Sequence, residues 1–585
     1  MQVRRHREPF DPHAHRAALS ALLEDLARAP GLDARTLDRI VKRHPKGGSS
    51  LYSKSEILAG LRAFGGALAG SGLEEALRLR PIRTLSGVTP VTVLTRPHPC
   101  PGTCIFCPSD VRMPKSYLAD EPGAQRAEQN RFDPYLQTWN RLDAYRQIGH
   151  PVEKVELSVL GGTWTAYPEP YRIWFAKRCL DALSDFGAAV DARAAAGAVP
   201  AEYRSLPPLD GRAAHSDYNS AVGARLREAL GPERLHESER ATWQELESAQ
   251  RRNECAACRC VGLSFETRPD HLDAAEVLRL RRLGATKIQV GIQSSDDAVL
   301  ARNLRGHDAA ATREALRVLR AASLKIHAHW MANLLGATPQ SDARDFARLF
   351  RDASLRPDEL KLYPCLLVPS APLVRQYESG AWRPYPDDAL ARLLADCLAR
   401  TPRWCRVTRV VRDFSAGDIA AGTHVANLRE VVERNLDARG ARRRDIRSRE
   451  IRGAAVDPAS LRLRTTAYAS AIGEERFLEL VTPEDRIAAF LRLSLPRERS
   501  FVGELGESAL IRELHVYGPS LPLHLRAAGA PQHAGLGRRL LASAARSARG
   551  RGFRRLAVIS AVGTRDYYRA QGFEDGALYQ HRALG

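Results

Sequence analysis

The sequence predicts an α/β protein that combines a partial (β/α) barrel with a smaller C-terminal α+β domain. At 585 residues the chain is too long for a single hydrophobic core. Between about residues 81 and 400, short apolar segments alternate with helical stretches, which is the pattern of a parallel sheet. Beyond about residue 460 the apolar segments follow one another as a meander of strands. A barrel followed by a second domain accounts for this change.

Composition places the chain among globular proteins. Apolar residues make up 44% of it, and no uncharged apolar run of about 18 residues could cross a membrane. The first residues are basic like the start of a signal peptide, but Glu8 and Asp11 interrupt the next positions and no apolar segment appears. The ten cysteines are few and uneven for this length, which suits a reducing compartment. We therefore expect a cytoplasmic protein with no membrane partner.

The charge balance predicts a polyanionic partner. Lys and Arg total 88 against 68 Asp and Glu, a formal charge of +20, and most of the basic residues are Arg. The planar guanidinium donates two hydrogen bonds to a phosphate, and neutralised phosphates release counterions, so such binding weakens with salt. The alternative is a genomic bias toward Arg, which the low Lys content also fits.

Residues 1–80 are predicted to be helical and basic. The segment that starts at Arg16 places four leucines on one helical face, namely Leu19, Leu22, Leu23 and Leu26. This region is either a packed cap or an arm that binds nucleic acid, and its positive charge favours the arm.

Residues 81–400 carry six candidate strands separated by helical stretches. They are 91–95, 155–160, 261–265, 287–293, 325–331 and 359–363. Functional residues on such a barrel gather at the carboxyl ends of the strands. The stretch of about 185–253 is rich in Ala and in charges, and is expected to be a helical or partly loose insertion.

A cysteine loop follows the first candidate strand. Cys100, Cys104 and Cys107 form a Cys-x3-Cys-x2-Cys array, which is typical of radical S-adenosylmethionine enzymes. There it supplies three thiolates to a four-iron cluster and leaves one iron open for S-adenosylmethionine. The alternatives are a zinc site completed by His98 or three unrelated thiols. Structural zinc sites usually come as two separated Cys-x2-Cys pairs, and no second pair follows this loop at the usual distance, so iron and sulfur are favoured.

Two further clusters leave their function open. Cys255, Cys258 and Cys260 invite a second metal, but their spacing supplies no fourth ligand. In the connector 401–460 six arginines crowd one segment, either as a solvated face or as a surface that faces RNA. These are Arg442, Arg443, Arg444, Arg447, Arg449 and Arg452.

Residues 461–585 are predicted to form the C-terminal domain. Candidate strands at 465–470, 477–481, 487–495 and 509–517 precede a helix that begins near Gln532. The segment from Gln532 to Arg538 matches the glycine turn of GNAT-type acetyltransferases, in which backbone amides and the helix dipole meet a pyrophosphate. A strand at 556–560 and a helix bearing Tyr567 and Tyr568 come next, as in those domains.

The chain combines a cluster motif with an acetyl-CoA motif, and in this it resembles the catalytic subunit family of Elongator, whose members are tRNA-modifying radical enzymes. The resemblance runs from about Lys46 to the C-terminus, apart from the insertion. One departure is the compact spacing of the first two cysteines, between which eukaryotic members insert several residues. The matching strings are 81–87, 131–135, 154–163, 262–270, 361–364, 512–518 and 559–568.

The resemblance implies a product as well as a fold. It implies that the enzyme acts on the wobble uridine in the anticodon loop of tRNA and forms 5-carboxymethyluridine, with acetyl-CoA as the carbon source. A 5′-deoxyadenosyl radical would take a hydrogen from the acetyl methyl, the carbon radical would add to the uracil, and thioester hydrolysis would release CoA. It further implies a 4Fe-4S cluster, S-adenosylmethionine and an electron donor, and leaves protein partners unknown.

The resemblance also implies roles for individual residues. Cys100, Cys104 and Cys107 would hold the cluster, and Lys361, Tyr363 and Tyr568 would be catalytic, with Tyr568 as the acid near the thioester sulfur. Lys154 would contact acetyl-CoA, and the alternative is a solvated surface lysine. Glu266 and Gln293 would contact the adenosine or methionine part of S-adenosylmethionine, and the alternative is a structural polar residue at the barrel mouth. The remaining cofactor-binding residues are, for S-adenosylmethionine, Gly161 and Gly162, and, for acetyl-CoA, Glu513, Leu514, His515, Val516, Gln532, Gly535, Leu536, Gly537, Arg538 and Tyr568.

Two other functions compete with this one. The first is a protein lysine N-acetyltransferase with a structural iron-sulfur cluster, which would acetylate protein without consuming S-adenosylmethionine. The second is a tRNA-binding scaffold with degenerate sites, which the complete set of cysteines and the complete glycine turn disfavour. Fold analogy alone does not choose among them.

Overall fold

The computed structural model describes residues 10–29, 31–47, 50–68, 72–196, 215–425, 427–454, 456–518 and 535–585. Its N-terminal part is a small helical bundle whose leucines form a separate apolar core. Arg78 ties this bundle to the barrel, since its Nε donates to the Gly149 carbonyl at 2.8 Å. The bundle contains α1 (Arg16–Arg28), α2 (Ala34–Arg43), α3 (Lys54–Phe64) and α4 (Leu73–Leu77).

Seven described strands form one parallel sheet in the order of the chain, which confirms a half-barrel. All six predicted strands are present, and a seventh lies inside the segment that we predicted as a connector. The strands are β1 (Thr89–Leu94), β2 (Lys154–Leu160), β3 (Arg259–Thr267), β4 (Lys287–Gln293), β5 (Lys325–Ala332), β6 (Glu359–Pro364) and β7 (Arg406–Arg409).

Helices connect the strands of this sheet, and most of them pack on its outer face, as the crossover connections of parallel strands require. They are α5 (Pro122–Gln129), α6 (Pro134–Gln147), α7 (Glu169–Gly187), α8 (Arg193–Ala196), α9 (His215–Leu230), α10 (Trp243–Glu254), α11 (Ala274–Arg282), α12 (Asp297–Arg302), α13 (Ala309–Ala321), α14 (Pro339–Arg351), α15 (Val374–Glu378), α16 (Asp387–Arg400), α17 (Leu428–Ala438) and α18 (Ile446–Arg449).

The two faces of the half-barrel differ in polarity. Along β2, Val155, Leu157 and Val159 point outward into the apolar core, whereas Glu156 and Ser158 point inward. The alternation follows from the two-residue period of a strand. Gln289, His327 and Lys361 continue the inner surface on the neighbouring strands. The barrel interior is therefore a polar cavity.

The insertion contributes directly to the loop that carries the cysteines. In its described part, Asn219 of α9 forms two hydrogen bonds of 2.8 Å with the backbone N–H and C=O of Cys100. The neighbouring Tyr218 hydroxyl donates to the Met113 carbonyl, also at 2.8 Å. The described part of α9 therefore covers the cysteine loop.

The C-terminal domain is a mixed sheet backed by one long helix. Its elements are β8 (Arg462–Ser470), β9 (Gly473–Val481), β10 (Ile487–Pro496), β11 (Ala509–Val516), α19 (Leu536–Arg549), β12 (Arg555–Val558), α20 (Arg565–Arg569), β13 (Glu574–Asp575) and β14 (Gln580–Ala583). The strands lie in the order β13, β14, β12, β11, β10, β9, β8, and all pairs are antiparallel except that of β11 with β12.

Strands β11 and β12 separate along their length. Their parallel ladder ends at Ile511, whereas the ladder of β11 with β10 continues to Val516. The register of the β10 ladder shifts between Arg492 and Leu493, so that Arg512 is the extra residue of a β-bulge. The separation leaves a slot beside the second half of β11.

The two domains share one interface. Leu510 and Tyr579 of the C-terminal domain belong to the same apolar core as the barrel helices. At the edge of that core, Arg512 forms a buried ion pair with Asp358, and Arg281 donates to the carbonyls of Ser560 and Leu578.

In the described part of the chain, no helix is both long and apolar enough to span a bilayer.

Candidate active site

The cysteine loop lies at the carboxyl end of the half-barrel, where the sequence predicted it. Backbone hydrogen bonds hold it from two sides, since Ile105 N donates to Asn303 O at 3.3 Å and Ile105 O accepts from Leu373 N at 2.9 Å. Cys100 lies 3.6 Å from the Thr163 hydroxyl, which follows the two glycines after β2. The loop is thus fixed to the segments that follow β2, β4 and β6 in the chain.

Positive charge surrounds the central thiol of this loop. The Nη1 atoms of Arg305 and Arg268 lie 3.0 and 3.6 Å from Cys104 Sγ. A hydrogen bond with Cys107, together with these two guanidinium groups, holds the pKa of Cys104 well below its usual range. The same hydrogen bond and burial raise the pKa of Cys107. The site stabilises at least one thiolate, the form in which cysteine binds a metal.

The donor set of the loop suits a four-iron cluster. Cys100, Cys104 and Cys107 line one cavity at this edge of the sheet. Thiolates are the ligands that such clusters take, each on a different iron. The guanidinium groups beside Cys104 place positive charge where an anionic cluster would lie. Within the described ranges, no three His, Cys, Asp or Glu side chains form a group that could hold a single metal ion.

The second cysteine array is divided between the surface and the core. Cys255 is exposed, whereas Cys258 and Cys260 are buried among apolar side chains of the barrel. Burial raises the pKa of Cys260 to about 12, so that its thiol stays protonated at neutral pH. A structural role in packing accounts for the two buried cysteines.

The glycines after β2 allow the backbone to pass close beside the cysteine loop. Gly161 and Gly162 have φ angles of 150° and 85°. A Cβ atom on Gly161 would lie 1.8 Å from the Thr95 hydroxyl oxygen, and one on Gly162 would lie 2.9 Å from the Lys115 carbonyl. Only glycine fits either position, as expected where a ligand approaches a strand end.

A cavity of about 140 Å³ at this edge brings several predicted residues together. It is lined by the three cysteines of the loop and by Gly162, Glu266, Gln293, Lys361 and Tyr363. Gln293 adopts a left-handed φ of 65°. Within the described structure its Oε1 and the His329 Nε2 are buried without a hydrogen-bond partner. Such atoms suit a polar ligand in the cavity.

The polar side chains of this cavity are linked to one another. Glu266 accepts a 2.6 Å hydrogen bond from the Tyr117 hydroxyl. Lys361 donates to Gln289 Oε1 at 2.7 Å, and burial lowers the pKa of its ammonium to about 8. Burial raises the pKa of Tyr363. Lys361 can therefore change its charge near neutral pH, whereas Tyr363 stays neutral.

The barrel interior forms a second, larger cavity of about 620 Å³ that adjoins the first. Tyr117, Glu121, Leu160, Lys361 and Arg409 line both. The larger cavity follows the inner face of the sheet down to its amino-terminal edge. There it meets side chains of the C-terminal domain, among them Glu513 and His515.

A third cavity, of about 120 Å³, contains Tyr568 together with Glu513, Leu514 and His515. Tyr568 is 6% exposed, and burial raises the pKa of its hydroxyl, which stays protonated. The residues common to this cavity and the barrel cavity are the wall between them, which we call the partition. They are Val88, Glu156, Lys287, Lys325, Glu513 and His515.

The glycine turn stands at the start of α19. Gly535 has a φ of 77° and caps the helix, and Leu536 and Gly537 open it. A Cβ on Gly537 would come within 2.3 Å of the Tyr567 hydroxyl oxygen, so Tyr567 packs on the turn. Arg538 follows in the first turn of the helix. Gln532 lies outside the described residues.

Lys154 begins β2, at the opposite end of that strand from Gly161. Burial lowers the pKa of its ammonium. Lys154 is not among the described residues that line the three cavities.

Four residues of the site are not predicted from the sequence, because their contacts come from distant parts of the chain. Arg305 is 201 positions from Cys104, and Asn219 is 119 positions from Cys100. Tyr117 lies in a loop without a recognisable pattern. Arg268 stands inside the matching string 262–270, which was the one available signal.

Known proteins resemble this chain both in a domain of radical S-adenosylmethionine enzymes and over most of its length. A family model, the Radical_SAM C-terminal domain, matches residues 357–438. A tRNA uridine(34) acetyltransferase from Dehalococcoides mccartyi is 35% identical over 509 residues, covering 86% of this chain and 99% of the relative. Elongator complex protein 3 from Danio rerio is 34% identical over 526 residues, covering 87% and 86%.

A solved structure matches this fold over most of the chain. It is the Elp3 of Methanocaldococcus infernus with its first 46 residues deleted, which superposes with a TM-score of 0.67 at 30% sequence identity. The match covers 85% of this chain and 100% of that one. With relatives above 30% identity along most of its length, the chain belongs to the Elongator Elp3 / tRNA uridine(34) acetyltransferase family.

Proposed function

We propose that this chain modifies the wobble uridine of tRNA and forms 5-carboxymethyluridine from acetyl-CoA. The observation that carries the proposal is the row of three adjoining cavities, from the cysteine loop through the barrel interior to Tyr568. A four-iron cluster bound with S-adenosylmethionine supplies a 5′-deoxyadenosyl radical at such a loop. The cavities give an acyl thioester from the other domain a route toward it.

The barrel sets the length of this route. Lys287 begins β4 at the partition, and Gln293 ends the same strand at the cavity with the cysteines. Six steps of about 3.3 Å correspond to roughly 20 Å. An extended pantetheine arm entering beside β11 is suited to this distance, and the slot between β11 and β12 would bind it through strand amides and carbonyls.

The partition has to open for the acetyl group to pass. Its lysines are held by carboxylates, since Lys287 Nζ lies 3.1 Å from Glu359 and Lys325 Nζ lies 2.6 Å from Glu513. Lysine stems rotate about several single bonds. Rotation of Lys325 and Glu513 would join the two cavities without movement of the backbone.

Tyr568 and Lys361 would act at opposite ends of the route. The protonated phenol of Tyr568 would donate a proton or a hydrogen bond to the departing CoA thiolate. Lys361, charged below a pKa of about 8, would donate a hydrogen bond to a uracil oxygen near the cysteine loop. Arginines on the wall of the barrel cavity, including Arg83, Arg126 and Arg447, would contact the phosphates of tRNA.

The buried position of Tyr568 also weighs against the lysine acetyltransferase alternative. Its cavity is bounded by side chains of both domains. The lysine of a protein substrate would have to reach a thioester between two folded domains, whereas a small acyl group needs only the partition to open.

The test is anaerobic reconstitution of the cluster, followed by incubation with tRNA, S-adenosylmethionine and methyl-labelled acetyl-CoA. We expect the label in 5-carboxymethyluridine, together with 5′-deoxyadenosine. Label that appears only in acetylated protein lysines, without consumption of S-adenosylmethionine, would refute the proposal.

A further inference from the structure

Arg305 is a buried cation whose charge no carboxylate of the described residues offsets by an ion pair. It follows α12 and is 5% exposed. Its Nη1 lies 3.0 Å from Cys104 Sγ, and its Nη2 donates to the Gly291 carbonyl. Its Nε has no hydrogen-bond partner in the described structure. Burying a guanidinium is costly unless it is paired and hydrogen-bonded, and the Cys104 sulfur is the group beside Arg305 that can carry a negative charge.

Arg268 approaches the same sulfur but is neutralised. Its Nη1 lies 3.6 Å from Cys104 Sγ, and its Nε and Nη2 bind Asp270 at 3.0 and 2.8 Å. The two arginines are equally buried, at 5% exposure each. They differ mainly in their distance from the sulfur and in the presence of a carboxylate partner.

The backbone around Arg305 is held in an uncommon conformation. Leu304 has a φ of 50° and Gly306 a φ of 76°. Leu304 is 52% exposed, so burial of its side chain does not explain the left-handed conformation. The Arg305 carbonyl accepts from Arg268, and the Asn303 carbonyl accepts from Ile105 of the cysteine loop. The segment is therefore fixed against the loop, and the strain is maintained by these contacts.

We propose that Arg305 is a positioning residue that raises the reduction potential of the iron-sulfur cluster through Cys104, and that Asp270 limits a similar effect of Arg268. The inference depends on the proposed cluster, but not on tRNA or acetyl-CoA. One-electron reduction adds a negative charge to the cluster. A cation hydrogen-bonded to a ligating sulfur stabilises that state, more strongly away from water.

The test is a redox titration of the reconstituted protein without tRNA or acetyl-CoA, followed by electron paramagnetic resonance. Arg305→Gln keeps hydrogen-bond donors but removes the charge. We expect the ratio of reduced to oxidised cluster at a fixed potential to fall about tenfold, a negative shift of 59 mV. Arg305→Lys should recover most of the change, and Arg317→Gln, which removes a charge from the exposed side of α13, should leave the potential unchanged.

A second variant keeps the inference testable if Arg305→Gln fails to hold iron. Asp270→Asn removes the partner of Arg268 and should raise the potential. The inference is wrong if Arg305→Gln titrates like the unsubstituted protein at equal iron content. It is also wrong if Arg305→Lys shifts the potential as far as Arg305→Gln, or if Asp270→Asn lowers the potential or leaves it unchanged. Because only the cluster is measured, failure to modify tRNA would leave this result intact.

Discussion

The two ends of the half-barrel differ in how their buried polar groups are paired. At the carboxyl end, thiols, glycines and buried atoms without partners surround a small cavity. At the amino end, buried charges are paired in a chain that crosses to the C-terminal domain through Lys325, Glu513, Arg492 and Asp358. The first end leaves polar groups open for ligands, whereas the second uses them to hold two domains in register.

Cys104→Ala should have the largest effect, and it acts at the carboxyl end. We expect the iron and sulfide bound after anaerobic reconstitution to fall to background, because the central ligand is lost. Cys255→Ala is the matched control, since that thiol is exposed and outside the loop. Retention of a full cluster by Cys104→Ala would remove the basis for assigning ligands to this end.

Asp358→Asn tests the amino end. Although burial by itself raises its pKa, Arg512, Arg492 and Arg320 hold the pKa of Asp358 well below the usual range. Removing this carboxylate leaves buried guanidinium groups unpaired, and we expect a loss of about 3 kcal/mol in the free energy of unfolding. Denaturant titrations at neutral pH measure it. Asp388→Asn, in an exposed pair, should change stability by less than about 0.5 kcal/mol.

The same carboxylate predicts a pH dependence. Its pKa is lower in the folded chain than the value of about 3.9 in the unfolded chain. Its contribution is therefore present above about pH 4 and is lost as the pH falls toward the folded pKa. Unfolding midpoints between about pH 5 and pH 3 should fall less steeply in Asp358→Asn than in the unsubstituted protein. Equal slopes would contradict the proposed pairing.

Gly161→Ala tests the carboxyl end again, because the added Cβ would collide with the Thr95 side chain. We expect the rate of 5′-deoxyadenosine formation to fall about a hundredfold, the effect of a displacement near 1 Å at a reacting centre. Gly417→Ala is the control, because a Cβ there meets open space. A rate within twofold of the unsubstituted protein would show that the strand end does not shape the site.

Tyr568→Phe should have the smallest effect. We expect the rate of CoA release to fall roughly tenfold, which corresponds to the loss of one hydrogen bond to a charged group. Tyr567→Phe keeps the packing on the glycine turn and should change the rate little. Comparable losses in both variants would mean that the tyrosines act through the helix rather than through the sulfur.

The sequence predicted the elements that repeat a local pattern. Six strands followed from apolar segments, but β7 did not, because only Val407 of its four residues is apolar. The spacing of Cys100, Cys104 and Cys107 indicated the cluster loop. Neither Arg305 nor Asn219 could be assigned, since their roles exist only once distant segments meet. The adjoining cavities were equally hidden, because the partition is built from side chains of both domains.

The buried ion pair of Arg512 with Asp358 also limits how a domain of this protein can be exchanged for that of a relative. Arg512 is the extra residue in the bulge of β11, and Asp358 directly precedes β6 in the other domain. Exchanging either domain for that of a relative would separate these charges unless both residues travelled together. Deleting one residue from the bulge would turn Glu513 away from Lys325. A chimera that is divided only at the domain boundary is therefore expected to misassemble.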